Sequence, residues 1–168
     1  MNFPKLGGVL LSVTTLLCAN QAIADMKVEL LGDWDGKRVP KGQHCKLHSG
    51  NGSTPPMKVT NLPKGTVEVH IEFNDKNYPP LSSGGGHGII GYPVSGSSAD
   101  LYSVEGMKGK LKGKAYVVRK ARSTGRYASQ GYLPPCSGGR NNMYAAVVKA
   151  MDASNKVIEK VRLNIGRY

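Results

Sequence analysis

The chain has 168 residues, 39% apolar and 20% charged, with a net charge of +12. That composition excludes a disordered or fibrous polymer, and the length suits one domain. Beyond the N-terminal region no stretch approaches the ~20 consecutive apolar residues of a membrane-spanning helix.

Residues 1–24 have the layout of a secretory leader: Lys5, an apolar run from Leu6 to Cys18, and small residues at −3 and −1 in Ala22-Ile23-Ala24. Cleavage is expected before Asp25, leaving residues 25–168 as a single exported domain, periplasmic or secreted. A lipoprotein reading through Cys18 is disfavoured, because Leu17 stands where a small residue is needed. The mature part keeps Cys45 and Cys136, and an oxidising compartment favours joining them. The bond would close a loop of about 90 residues, worth about 4 kcal/mol by chain-entropy arithmetic. Two separately buried thiols are the alternative.

In chain order, strand signals dominate. Val67–Phe73 alternates apolar and polar residues at period 2, the pattern of a half-buried strand. Ala115–Val118 and Tyr144–Val148 are short β-branched or aromatic runs. Lys156–Leu163 reads as a further strand, bounded by Asn155, Asn164 and Gly166. Segments 49–56, 78–88 and 133–142 are loaded with Gly, Pro, Ser or Asn and predict long loops. Asp100–Met107 and Met151–Val157 have room for a helical turn each. The fold class is mainly β, with few short helices.

Charge is unevenly spread. Residues 25–100 carry eight Lys/Arg against eight Asp/Glu; residues 101–168 carry fourteen against three. Lys108, Lys110, Lys112 and Lys114 recur at every second position, which in an extended strand places them on one face. Arg119, Lys120, Arg122 and Arg126 follow. An edge strand guarded by lysines is one reading. A basic surface for lipid head groups, acidic polysaccharide or another anionic envelope surface is the other. Interleaved aromatics are sparse there, so nucleic acid ranks last.

His44, Cys45 and His48 offer three ligands, too few for a closed metal site, and a disulfide at Cys45 would remove one. No metal is expected. Gly84-Gly85-Gly86-His87-Gly88 lacks the G-K-[ST] ending of a phosphate loop and reads as a flexible lid or a turn. Nucleophile elbow, paired catalytic carboxylates and His–Cys dyad are all missing from the sequence. The expectation is a protein with no catalytic residues and no cofactor.

The run Thr54-Pro55-Pro56-Met57-Lys58-Val59-Thr60-Asn61-Leu62-Pro63-Lys64-Gly65-Thr66 resembles a segment S-P-P-L-x-W-S-x-x-P-x-G-T. Asp75-Lys76-Asn77-Tyr78-Pro79 is similar to D-P-D-x-P, and His87–Pro93 to H-W-V-V-x-N-I-P. Gly131-Tyr132-Leu133-Pro134-Pro135-Cys136 is similar to G-Y-x-G-P-C, and Asn142-Met143-Tyr144 to H-R-Y. These motifs, in this order over roughly residues 45–168, resemble the phosphatidylethanolamine-binding protein (PEBP, Raf kinase inhibitor-like) family. The resemblance implies an antiparallel β-sandwich with a small pocket for phosphate-like anions, lined by Asp75, His87, Pro135 and Tyr144. An imidazole and a phenol are donors to an anion, and a neighbouring acid holds the tautomer of the His.

The departures bear on that pocket. Asn77 replaces the second Asp, Gly88 the aromatic after the His, and Asn142-Met143 the His-Arg pair. Leu133 and Pro134 stand where the family exposes backbone at glycines. The chain is thus expected to be a divergent, non-catalytic binder of a phosphate-like or phospholipid head-group anion. The alternative is an interaction module, inhibitor or effector that meets a protein partner through its basic surface while the pocket is remodelled.

Overall fold

The alternation over 67–73 becomes β3 (Glu68–Asp75), the middle strand of a five-stranded sheet. In the computed structural model, residues 25–168 are described, and the expected leader over 1–24 lies outside them. The other strands are β1 (Lys27–Leu30), β2 (Met57–Thr60), β4 (Ile89–Pro93), β5 (Ser98–Leu101), β6 (Tyr116–Arg119), β7 (Met143–Met151) and β8 (Val157–Arg167). They form two antiparallel sheets, ordered β1-β2-β5 and β6-β4-β3-β7-β8. The fold is mainly β. Three short 3-10 turns, at Lys46–His48, Pro79–Leu81 and Gly125–Tyr127, are the helical elements among the described residues.

Both sheets feed one core. Met57 and Val59 of β2 and Leu101 of β5 pack with Val69, Ile71 and Phe73 of β3 and with Ala146, Val148 and Ala150 of β7. Every second residue of β3 and β7 faces this layer, as strand geometry requires. The opposite face of β3 is polar but paired. Glu72 meets Lys149 at 2.5 Å, and Glu68 takes hydrogen bonds from Tyr116 Oη at 2.5 Å and His70 Nε2 at 2.8 Å. Depletion of free charge on that face lets the central strand be buried on both sides.

Three expectations are corrected here. Residues 108–114 are turns and loop rather than a strand, so the four lysines share no strand face. Met107 and Gly113 hold φ of 66° and 68°, which an extended strand does not adopt. The Tyr102 hydroxyl also reaches into the loop, donating to the Lys112 carbonyl at 3.2 Å and accepting from the Ala115 N–H at 2.8 Å. Neither helical turn forms: 100–107 is the end of β5 followed by a turn, and 151–157 is the tight connection between β7 and β8. Finally, β8 does not stop before Gly166. It passes through that residue at φ 136°, where an added Cβ would lie 2.5 Å from the Arg38 carbonyl carbon.

Candidate functional site

β3 and β7 end together, with Asp75 and Tyr144 as direct cross-strand partners. Both lie on the core face, one step beyond Phe73 and Ala146, where the apolar layer gives way to a pocket of about 360 Å³. Its wall includes Asp75, His87 and Tyr144, with Leu133, Cys136 and Ser137 beside them. Arg122, Tyr127, Arg140 and Asn142 complete the side nearer solvent.

His87 is delivered by the glycine run. Asn74 Oδ1 accepts the Gly85 and Gly86 N–H groups at 2.9 and 3.1 Å, so the run is an anchored turn and not a loose flap. At Gly86 a Cβ would fall 2.2 Å from the Leu81 carbonyl oxygen, and only glycine fits. The His87 backbone is clamped on both sides: its N–H donates to Phe73 O at 2.8 Å, and its carbonyl accepts from Leu133 N–H at 2.8 Å. Its ring Nδ1–H donates to the Leu133 carbonyl at 2.8 Å. A carbonyl only accepts, so the tautomer is fixed. Burial pushes the imidazole pKa below its ordinary 6.5, against the opposing pulls of the Leu133 hydrogen bond and the Asp75 charge. The ring is therefore neutral at pH 7 and presents Nε2 as an acceptor.

Asp75 is 4% exposed and well held. Oδ1 accepts the Asn77 N–H at 2.9 Å, and Oδ2 accepts from Asn142 Nδ2 at 2.8 Å. Tyr144 packs edge-on to the His87 ring with centroids 5.2 Å apart, and its hydroxyl accepts the Cys136 N–H at 3.0 Å. Burial, with the Asp75 charge beside it, raises the phenol pKa far above its ordinary value. Proton loss from Tyr144 is thus excluded at neutral pH.

The residues that depart from the family pattern have structural work here. Asn77 Oδ1 accepts the Met143 N–H at 2.7 Å, tying the loop after β3 to the start of β7. Gly88 sits at φ 107°, where a Cβ would lie 2.8 Å from the Gly131 carbonyl oxygen, so no aromatic fits. Leu133 supplies the backbone that grips His87. Pro135 is a correction: it is buried behind the wall, its carbonyl accepting the Cys45 N–H at 2.9 Å, and its neighbours Leu133 and Cys136 line the pocket instead.

Cys45 and Cys136 are joined, their Cα atoms 5.2 Å apart. His48 lies beside that pair, but sulfurs bonded to each other are poor metal ligands. The sequence did not single out Arg122 and Arg140 as pocket residues. Arg122 Nη2 donates to the Pro80 and Ser83 carbonyls at 2.9 and 3.0 Å, and Nη1 to Gly84 O at 3.4 Å. That uses three of its five N–H groups on uncharged acceptors and leaves its charge uncompensated. Arg140 is exposed at the rim, and among the described residues it has no ion-pair partner.

No protein-family model and no curated protein matches the chain. Solved structures do. A crystal structure described as a phosphatidylethanolamine-binding protein homologue, CT736 from Chlamydia trachomatis, superposes with a TM-score of 0.53 at 18% identity, covering 86% of this chain and 97% of its own. The fold is PEBP-like. E. coli YbcL, described as a new member of the mammalian PEBP family, matches with a TM-score of 0.51 at 14% identity, over 86% of this chain and 98% of its own. In this PEBP-like fold the pocket lies where β3, β7 and the glycine turn before β4 converge.

Proposed function

We propose that the protein is an exported, non-catalytic binding protein that takes a phosphate-like anion or phosphorylated head group in the pocket at the ends of β3 and β7. The carrying observation is the convergence of His87, Tyr144 and Asp75 with the uncompensated guanidinium of Arg122 and the free one of Arg140 around one cavity. Two arginines against one carboxylate leave the pocket net positive, and planar guanidinium forks suit tetrahedral oxyanions. No nucleophile is paired with a base there. The His87 donor is committed to Leu133, and the Tyr144 proton is not released at neutral pH. The disulfide fits an oxidising compartment. Isothermal titration with inorganic phosphate tests the reading. Binding should be measurable, and Arg140→Ala should weaken it by about 1.5–3 kcal/mol, the range for a hydrogen bond to a charged group. Unchanged affinity in that variant, with its fold verified by circular dichroism, removes Arg140 from the site.

A second reading is favoured by one observation. Lys108, Lys110, Lys112 and Lys114 are all exposed, and among the described residues none takes part in an ion pair. That loop is a candidate contact for an anionic surface, separate from the pocket.

A further inference from the structure

The run His44-Cys45-Lys46-Leu47-His48 offers metal-binding side chains that the anion pocket does not use. Cys45 caps the first 3-10 turn and His48 ends it. The His48 N–H donates to the Cys45 carbonyl at 3.1 Å, the i to i+3 bond that brings side chains three apart to one side of a turn. Cys136 comes from a distant segment. One donor atom from each of Cys45, His48 and Cys136 lies within 4.8 Å of the other two. Gly138 makes room for the imidazole: it holds φ 68°, and a Cβ there would stand 3.1 Å from His48 Cε1 and 3.3 Å from Nε2. His44 Nε2–H donates to the His48 carbonyl at 2.9 Å, and its ring stacks on Tyr168 at 4.6 Å. His44 thus braces the turn and stays outside the cluster. The backbone bonds that hold the two cysteines, Cys45 N–H to Pro135 O and Cys136 N–H to Tyr144 Oη, do not depend on the disulfide.

Sulfurs joined to each other are not thiolates, and only thiolates ligate strongly. We propose that reduction of the Cys45–Cys136 bond turns this cluster into a zinc site, with two thiolates and the His48 imidazole as ligands and water in the fourth position. Thiolate and imidazole donors suit Zn(II) and reject Mg(II) and Ca(II). Tetrahedral Zn(II) takes sulfur at about 2.3 Å and imidazole nitrogen at about 2.0–2.1 Å, which sets its donors roughly 3.5–3.8 Å apart. The cluster spans that range, so side-chain rotation assembles the site on a backbone already held. The reductant is a dithiol. Its thiolate attacks Cys136 Sγ, because Cys136 is half-buried whereas Cys45 is 1% exposed. Cys45 leaves as a thiolate, and the second thiol of the reductant displaces Cys136 from the mixed disulfide. The dithiol is oxidised to its own disulfide and supplies both electrons. Zn(II) then takes both cysteines as thiolates, releasing any proton they carry. The site is separate from the anion pocket, to whose wall Cys136 alone of the three ligands belongs.

The test reduces the protein, removes the reductant without air, and titrates with Co(II), whose absorption reports its ligands, then with Zn(II) in competition. Equimolar Co(II) should give a thiolate charge-transfer band and tetrahedral d–d bands, both erased by equimolar Zn(II). The unreduced protein should give neither. His48→Ala should weaken Zn(II) binding by more than the roughly 10–100-fold that loss of an outer-shell partner costs, and should change the d–d bands. A folded, reduced protein without the charge-transfer band overturns the proposal, as does a His48→Ala variant with the parent's spectrum and affinity. If reduction unfolds the chain, Zn(II) should restore the native circular dichroism, because a metal that needs the assembled site stabilises the fold. A reduced chain that stays unfolded with Zn(II) overturns the proposal equally.

Discussion

His87 is a basic group held neutral by burial, and that has a consequence for stability as well as for binding. In the unfolded chain its imidazole titrates near 6.5, whereas burial lowers the value in the fold. Between those two values the unfolded state binds more protons, so stability rises with pH through the window. The contribution is complete above about 6.5 and is lost as pH falls toward the folded value. Each pH unit inside the window is worth up to about 1.4 kcal/mol. The unfolding free energy from urea denaturation should therefore fall more between pH 7.5 and 5.5 in the parent than in His87→Gln. Parallel pH profiles would show that His87 does not titrate differently on folding. Glu68 and Asp35 have carboxyl pKa values lowered by hydrogen bonds, from Tyr116 and from the backbone of residue 37 respectively, and they act only at lower pH. At this scale the sequence was informative where a resemblance supplied a frame. Asp75, His87 and Tyr144 could be named in advance because each sits in a recognisable short motif. Arg122 and Arg140 could not, because nothing local to either residue encodes its approach to the pocket. Asn142 and Asn77 looked like losses of charge, yet both position Asp75 or its loop.

The element that does most to shape the pocket wall is a pair of loops rather than a strand. The disulfide ties Cys45, in the loop that leads into the first 3-10 turn, to Cys136 in the segment that grips His87. Backbone bonds run alongside it, from Cys45 N–H to Pro135 O at 2.9 Å and from Cys136 N–H to Tyr144 Oη at 3.0 Å. The 91-residue separation predicts a stabilisation of about 4–5 kcal/mol from the restricted unfolded chain. Cys45→Ala/Cys136→Ala should lose about 2–5 kcal/mol in urea denaturation, and should weaken phosphate binding because the wall carrying Leu133 loosens. A double variant as stable as the parent would show that the backbone bonds alone hold this wall. Among the strands, β3, β7 and β8 were legible because their apolar alternation or β-branched runs span enough residues to reveal a period, and the four-residue β6 because Tyr116, Val117 and Val118 are strong strand formers. β1, β2 and β5 span four residues each with Lys, Glu, Ser, Ala or Asp among them, so no β-branched or aromatic run stands out, and Gly91 disguises β4. Gly91 is there because the Tyr116 ring lies where its Cβ would be, 2.6 Å from Cζ. The lysine alternation misled for a related reason. Period 2 implies a strand only when the intervening residues favour one, and two of the three here are glycines.

At the scale of the whole molecule, the basic half keeps its charge exposed, and the structure removes the simplest explanation for it. Lysines guarding a sheet edge against aggregation require a strand, and residues 108–114 form none. Lys108, Lys110, Lys112 and Lys114 project from a loop, and Arg119, Lys120, Arg122 and Arg126 follow on equally exposed positions. Arg119 and Arg122 both donate to the Gly84 carbonyl, an uncharged partner, so neither is neutralised. Such a surface attracts anionic partners over about 8–10 Å at physiological salt. Against an anionic membrane each lysine contributes about 1 kcal/mol, so four exceed the single hydrogen bond that His87 offers a ligand. The protein is thus expected to bind phosphatidylglycerol vesicles in a sedimentation assay at low salt and to be released at about 0.5 M, where the screening length falls to roughly 4 Å. Replacing the four lysines by Gln should abolish vesicle binding while leaving the thermal midpoint and phosphate affinity unchanged, because all four are exposed and outside the pocket wall. If the quadruple variant sediments with vesicles as fully as the parent, the arginines at the pocket rim carry the attraction, and the two surfaces act as one.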